Sequence, residues 1–250
     1  MAYFEHYKTH FDPVAYLNKY CGLTTDYLFH TIVLKTLHEF YQQQSQSGLS
    51  VLDFGCGPTI YGIISLAQYS PKIVLAEYAE QNRVEIHKWL QGDSDAFDWT
   101  PTIRHVVMEL EGKGESQVGE RKQQLKDAIQ SVVPCDITKD PIMSPEYMKE
   151  YDIVHCFLVL AAVSATKEEY VKYLLTLKSL IRPGGKLVLY AINKDEITER
   201  DKFTFGGHWF SDLCVSLEFV QDSLAKFDLH PAHPQKRRSL FARWFKKPIA

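Results

Sequence analysis

Three carboxylates and one glycine-rich turn carry the chemistry that can be read first. Asp53 stands inside the short apolar run 50–54, which ends in Gly55-Cys56-Gly57-Pro58-Thr59. Glycine lets the backbone approach a ligand without Cβ interference, and such a turn exposes amide N–H groups. Glu77 follows Asp53 by 24 residues and ends the next apolar run, 72–77. A carboxylate so placed can accept hydrogen bonds from both hydroxyls of a ribose. Asp136 ends a later run, 132–136, where it can accept from the amino group of an adenine. The glycine turn alone is equally a tight strand-to-helix connection; Glu77 at that distance is what points to a nucleoside.

A nicotinamide dinucleotide protein shares the turn and the acid. Its Gly-x-Gly-x-x-Gly pattern, however, needs glycine where this chain has Ile60, and Pro58 removes an N–H that a pyrophosphate would use. An adenosyl ligand without phosphates fits better, namely S-adenosylmethionine, with its ribose on Glu77, its amino-acid end on the 55–59 turn and its adenine on Asp136.

The elements that position these residues alternate. Apolar runs at 50–54, 72–77, 132–136, 151–157 and 186–192 are continuous, as strands buried on both faces of a parallel sheet are. Helical patterns are expected over 59–67 and 80–91, and another opens at the capping-box sequence Thr166-Lys167-Glu168-Glu169 and stops at Arg182-Pro183-Gly184-Gly185. The fold class expected is α/β, a doubly wound, Rossmann-like sheet with an N-terminal helical lid, and its ligand belongs at the carboxyl ends of the strands. One domain spans 1–250: the lid over 1–46, in which Asp12 and Pro13 start a helix as N-cap and N1, and an α/β core over 47–250 with a polar insertion at 92–130. Tyr16 and Tyr20 then share one helix face.

Composition narrows the function. Among 250 residues, 28 Lys+Arg against 31 Asp+Glu leave a net charge of −3, far from the basic excess of a dedicated nucleic-acid binder. The five cysteines include no Cys-x-x-Cys pair and the ten histidines no metal-ligand spacing, so neither a disulfide framework nor a metal is expected. His155, inside a strand run, reads as a core or pocket residue. No leader-like N-terminus and no apolar run long enough to span a membrane are seen, so a cytoplasmic protein off the membrane is expected, working as a monomer on a small molecule. The basic, aromatic C-terminal stretch 236–247 reads as a last strand.

The sequence Tyr7-x-x-x-Phe11-Asp12-Pro13-x-x-Tyr16-Leu17-x-x-Tyr20, the turn 55–61, Glu77-Tyr78 with Gln81-Asn82, Ala96-Phe97-Asp98-Trp99, Cys135-Asp136-Ile137-Thr138 and the Pro-Gly-Gly segment together resemble the small-molecule N-methyltransferases, the family of nicotinamide, phenylethanolamine and indolethylamine N-methyltransferases. The resemblance runs in order over most of the chain. It implies that the doubly wound sheet is that of a Rossmann-like class I methyltransferase, with 47–250 its catalytic core, and that a methyl group passes from S-adenosylmethionine to the nitrogen of a small amine or aromatic heterocycle. It also implies cofactor contacts at Tyr7, Tyr16, Cys21, Gly55, Gly57, Thr59, Tyr61, Glu77, Tyr78, Asn82, Asp136, Ile137 and Phe157, and a substrate pocket touching Tyr16, Leu158, Ala191 and Asp195. Cys21 departs from an aromatic position, Phe157 from a hydroxyl, and Ala191 stands where the nicotinamide enzymes carry a carboxylate. Asp195 and Glu196 are the candidates for a catalytic base toward an amine. Those departures also leave room for an alternative, a non-catalytic protein that binds the cofactor or regulates. Nucleic-acid methylation lacks an Asp/Asn-Pro-Pro-Tyr-like motif after the 151–157 run, which continues Leu158-Val159-Leu160.

Overall fold

The computed structural model describes residues 3–22, 27–44, 46–69, 71–192, 200–205, 208–213, 215–231 and 240–248. In chain order the elements are α1 (Tyr3–His10), α2 (Pro13–Tyr20), α3 (Tyr27–Gln42), β1 (Ser50–Phe54), β2 (Lys72–Glu77), α4 (Glu80–Gln91), α5 (Thr100–Arg104), α6 (Ser116–Ala128), β3 (Ile129–Pro134), β4 (Tyr151–Phe157), α7 (Val159–Val163), α8 (Lys167–Ser179), β5 (Ile181–Ile192), β6 (Arg200–Phe205), β7 (His208–Leu213), α9 (Leu217–Ala225), β8 (His230–Pro231) and β9 (Leu240–Lys246). They fall into two compact units, one of residues 12–134 and one of 1–11 with 135–250. The N-terminal 46 residues are thus divided, α1 grouping with the second unit and α2 and α3 with the first.

In the 12–134 unit β2 pairs in parallel with β1 on one side and β3 on the other. The runs expected at 50–54 and 72–77 are these strands to the residue, and the helix at 80–91 is α4. Val51, Leu52, Ile73 and Leu75 are wholly buried, and so, nearly, are Leu37 and Phe40 of α3. The insertion carries α5, a π-helical turn His105–Leu110 and α6, and it drives Trp99, Ile103 and Val107 into this core.

The helix expected over 59–67 is not there. Two 3₁₀ turns, Tyr61–Ile63 and Ala67–Tyr69, take its place. The carbonyls an α-helix would use are bonded from elsewhere: the Tyr41 hydroxyl donates to Gly62 O at 3.2 Å, and the Arg121 guanidinium to Ile64 O at 3.2 Å. Gly62 and the β-branched Ile60, Ile63 and Ile64 also favour helix weakly.

That guanidinium belongs to a buried ion pair. Arg121 meets Glu111 in a two-pronged contact, 2.6 and 2.8 Å, with both side chains 3% exposed. Lys113 adds a third contact to Glu111 at 3.0 Å. The pair ties α6 to the end of the π-helical turn and to the segment after β1.

In the other unit β4 runs parallel to β5, and β9 closes on β5 antiparallel with β8 beyond it. The last strand expected from the C-terminal stretch is β9. Helix α8 opens as expected: Thr166 Oγ1 accepts from Glu169 N, and the Glu169 carboxylate reaches back to Ala165 N. Its end differs. The helix stops at Ser179, and Pro-Gly-Gly lies inside β5 as a bulge, between the Tyr151–Ile181 and Ile153–Lys186 pairings. Gly184 takes φ +77° there, and its N–H is held by Lys247 O. The segment β6–β7 is a separate antiparallel hairpin, in contact with α1 and α7 through β7.

Removing one partner of a desolvated pair strands a buried charge, whereas exposed pairs contribute little. Arg121→Met should therefore lower unfolding stability by about 3 kcal/mol, the low end of the range because Lys113 stays beside Glu111. Arg104→Met, which opens the exposed pair with Glu115, should cost under about 1 kcal/mol. Chemical denaturation of the two variants checks the contrast, and equal losses would contradict it.

Candidate cofactor site

The 12–134 unit gathers nine of the candidate residues: Tyr16, Cys21, Gly55, Gly57, Thr59, Tyr61, Glu77, Tyr78 and Asn82. The turn after β1 is made by its glycines, with φ +71° at Gly55 and +62° at Gly57, a region that L side chains avoid. Gly55 N donates to Ala76 O at 2.7 Å, and Thr59 Oγ1 closes the turn on Cys56 O at 2.7 Å. A Cβ built on Gly57 would meet no described heavy atom within 4 Å, so the space over the turn is open to a ligand.

Glu77 ties this turn to the next. Its Oε2 accepts from Gly57 N, and its Oε1 accepts from Ala79 N and from Asn82 Nδ2, each at 2.9 Å. The carboxylate is 3% exposed and Asn82 fully buried. A carboxylate offers about four acceptor positions. Among the described residues three donors reach it, so one position, on Oε2, is left by them where the two hydroxyls expected of a ribose would need a pair. Burial pushes its pKa above the usual carboxylate value, a shift opposed by the three donors and by the nearby Arg83 charge.

Helix α2 is set as expected from Asp12-Pro13: Asp12 Oδ1 accepts from Ala15 N at 2.9 Å. The rings of Tyr16 and Tyr20 lie 5.1 Å apart. Burial pushes the Tyr16 phenol well up, with smaller contributions from Cys21, Tyr20 and Glu77, so it is a neutral donor at any working pH. Burial likewise pushes Cys21 up to about 12, which leaves a thiol rather than a nucleophilic thiolate. Tyr61 is buried in the first 3₁₀ turn, and Tyr78 is half-buried beyond β2.

A cavity of about 330 Å³ adjoins α2 and α4. Leu17, Cys21, Glu85, Phe97, Asp98 and Pro101 contribute to its walls. The Phe-Asp-Trp motif is accounted for by packing: Phe97 and Trp99 meet edge to face at 4.9 Å, Trp99 is buried, and Asp98 caps Thr100 N.

Six described candidates belong to the other unit. Tyr7 stacks on Phe11 at 4.2 Å. Asp136 Oδ1 accepts from both Thr138 N and Thr138 Oγ1, and Ile137 is buried. Phe157 lies along His155, 5.2 Å between rings, with His155 fully buried in β4. Leu158 adopts φ +63°, rare for a bulky side chain, and its N–H reaches Tyr190 O. Ala191 pairs with Phe241 across β5 and β9. Asn193, Asp195 and Glu196 lie outside the described residues. Among the described residues no cluster of metal-ligating side chains occurs.

Sequence reasoning missed Ala79, whose contribution is a backbone N–H and so leaves no signal in residue type. It also missed Arg83, which donates to Glu77 O and Tyr78 O. A signal existed: a cation near the N-terminus of a helix opposes the helix dipole.

Comparison with solved structures identifies the class. Magnesium protoporphyrin IX methyltransferase from Synechocystis, with bound S-adenosylmethionine, is 13% identical at a TM-score of 0.56, over 97% of this chain and 94% of that one. This is the Rossmann-like class I methyltransferase fold, the doubly wound sheet expected from the strand pattern and the class expected from the resemblance. The chain belongs to the NNMT/PNMT/TEMT family, whose model matches residues 1–239. Human nicotinamide N-methyltransferase is 31% identical over 219 residues, covering 86% of this chain and 80% of that protein. Mouse indolethylamine N-methyltransferase is 33% identical over 230 residues, covering 88% and 82%. The protein is an S-adenosylmethionine-dependent N-methyltransferase, and nothing found favours the non-catalytic alternative.

Two outcomes follow from the geometry. Because Cys21 lines the cavity, an aromatic ring there has space to fill, and Cys21→Tyr should fold with a melting temperature no lower than wild type; a marked drop in thermal unfolding would contradict this. Because folding raises the Glu77 pKa, the cofactor-free protein binds a proton more readily than the unfolded chain does, so Glu77 favours the fold increasingly as pH falls through the raised pKa toward 4.5. Stability of wild type relative to Glu77→Ala should therefore grow on acidification across that window, as followed by denaturant titration, and a constant difference would refute the raised value.

Proposed function

We propose that this enzyme holds S-adenosylmethionine on the Glu77-bridged pair of turns and methylates a small amine rather than nicotinamide. The observation that carries the cofactor reading is the open space over Gly57 beside a buried carboxylate with one acceptor position left. Glu77 takes a ribose hydroxyl, the 55–59 turn and Tyr61 take the amino-acid end, and the Tyr16 phenol donates to its carboxylate. Asn82 holds Glu77 in place. The family resemblance adds Tyr7, Cys21, Thr59, Tyr78, Asp136, Ile137 and Phe157 to the cofactor contacts, with Asp136 on the adenine.

The bound sulfonium supplies a methyl group already activated toward displacement. What remains for the chain is alignment and dryness, and well-oriented reactants reach effective molarities of about 10⁵ to 10⁸ M. The acceptor must arrive with a free lone pair. The family resemblance gives Tyr16, Leu158 and Ala191 to the acceptor and leaves Asp195 or Glu196 as the base for an ammonium group. Ala191 has no carboxylate to meet a carboxamide, which favours an amine.

Within a single catalytic domain, residues 7–21 act as the lid and order over cofactor, whereas α3, expected as part of that lid, is core: Tyr41 is buried and its hydroxyl bonds Gly62 O. The setting is a reducing cytoplasm, which the buried cysteines Cys21, Cys56, Cys135 and Cys156 suit. No described helix is long and apolar enough to cross a membrane. Of the large apolar side chains described, Val14 and Val84 stand exposed, a pattern that suits a monomer. The charge of −3 disfavours a nucleic-acid partner.

Glu77→Ala should weaken binding of S-adenosylhomocysteine by about 1.5 to 3 kcal/mol, one hydrogen bond to a charged group. Titration calorimetry measures it, and unchanged affinity would remove Glu77 from the site. A radiolabelled methyl-transfer screen over primary amines, indoles and pyridines should label an amine and leave nicotinamide unlabelled; labelled nicotinamide would overturn the substrate reading. Tyr16→Phe should keep the fold and lower cofactor affinity or turnover in the same assays.

A further inference from the structure

Helices α2, α8 and α9 are each opened by a side chain that caps a backbone N–H, from Asp12, Thr166 and Ser216. Helix α4 has Ala79 at its N-cap, with no capping side chain. The backbone that leads into it is held from inside the helix. Arg83, the fourth residue, reaches back past the N-terminus, and its Nη1 donates to Glu77 O at 2.8 Å and to Tyr78 O at 2.9 Å.

A cation at this end of a helix opposes the dipole, so the position is costly unless the charge is used. Here it is used twice, on the last carbonyl of β2 and the first beyond it. These belong to the residues that enter the turn from which the Glu77 carboxylate is presented, while Ala79 N and Asn82 Nδ2 fix that carboxylate from the other side. The guanidinium is half-buried and close enough to the Glu77 carboxylate to favour its ionised form.

We propose that Arg83 is a positioning residue for cofactor recognition: by clamping the Glu77 and Tyr78 carbonyls it fixes the β2–α4 turn, and by its charge it keeps Glu77 an acceptor for the ribose. The inference rests on the reading of Glu77 as a ribose contact. Two roles are separable by substitution. Methionine removes both the donors and the charge. Glutamine keeps a donor without the charge. Lysine keeps a charge and one donor.

The test is calorimetric titration of the full chain with S-adenosylhomocysteine from roughly pH 5 to 9, a range that brackets a raised carboxylate. Thermal unfolding reads the fold of each variant. Arg83→Met should bind about tenfold more weakly, the loss of a charge-assisted bond, and should lose affinity on acidification at a higher pH than wild type. The reason is that Glu77, deprived of the neighbouring charge, takes up its proton earlier. Arg83→Gln should recover part of the affinity yet keep the displaced pH profile, and it serves the same comparison should the methionine variant not fold. Arg83→Lys should restore the wild-type profile. In Glu77→Gln, which has no carboxyl to titrate, Arg83→Met should no longer move the profile.

Wild-type affinity in Glu77→Gln would overturn the ribose reading and this inference together. Weakened binding in Glu77→Gln, with Arg83→Met and Arg83→Gln keeping wild-type affinity and profile, would overturn the role of Arg83 alone. So would a lower melting temperature without change in affinity, which is the mark of a merely structural arginine.

Discussion

A carboxylate taken out of water is the constraint on which the 12–134 unit is organised around its turns. Glu77 sits at the end of the central strand β2, almost wholly buried, and desolvation alone would drive it to hold a proton. Three N–H donors from three places answer that: the turn after β1, the backbone that opens α4, and the side chain one turn into α4. Each donor is useful only if its own segment is held in register with the others. The carboxylate therefore works as a template as much as a ligand, with its Oε2 held at the glycine turn.

The segment between β1 and β2 obeys the same logic in reverse. There the backbone carbonyls rather than the donors are taken from outside, by Tyr41 and Arg121, and the α-helix the pattern suggested becomes two short 3₁₀ turns. Arg121 can serve there because Glu111 neutralises it in the interior. Charge placed deep in the insertion thus shapes backbone close to the glycine turn.

Strands β1, β2 and β4 were legible to the residue because continuous apolar runs bounded by turn formers leave little else to fold into, and α4 because Glu80 to Gln91 lies between two such boundaries. What was not legible depends on partners remote in sequence. The 59–67 segment reads as helix until Tyr41 and Arg121 claim its carbonyls. Pro-Gly-Gly reads as a helix stop, yet Leu180 already ends the helix and the glycines make a bulge inside β5. In the candidate site, residue types announced Glu77 and the glycine turn, and the family resemblance added Asn82. They could not announce that Glu77 arrives with most of its acceptor capacity spent, because Gly57 and Ala79 contribute backbone N–H groups that every residue but proline possesses.

The hairpin β6–β7 stands apart from the strands that flank β5, as a sheet of its own. A ribbon of two strands is marginal in water by itself, so its order is borrowed, and its lenders through β7 include α1 and α7. Loosening of α1 would consequently spread into a stretch of chain two hundred residues downstream. The first helix and this ribbon form one cooperative patch, where limited proteolysis of the native enzyme would begin to find its cuts and where rigidity would be gained or lost together.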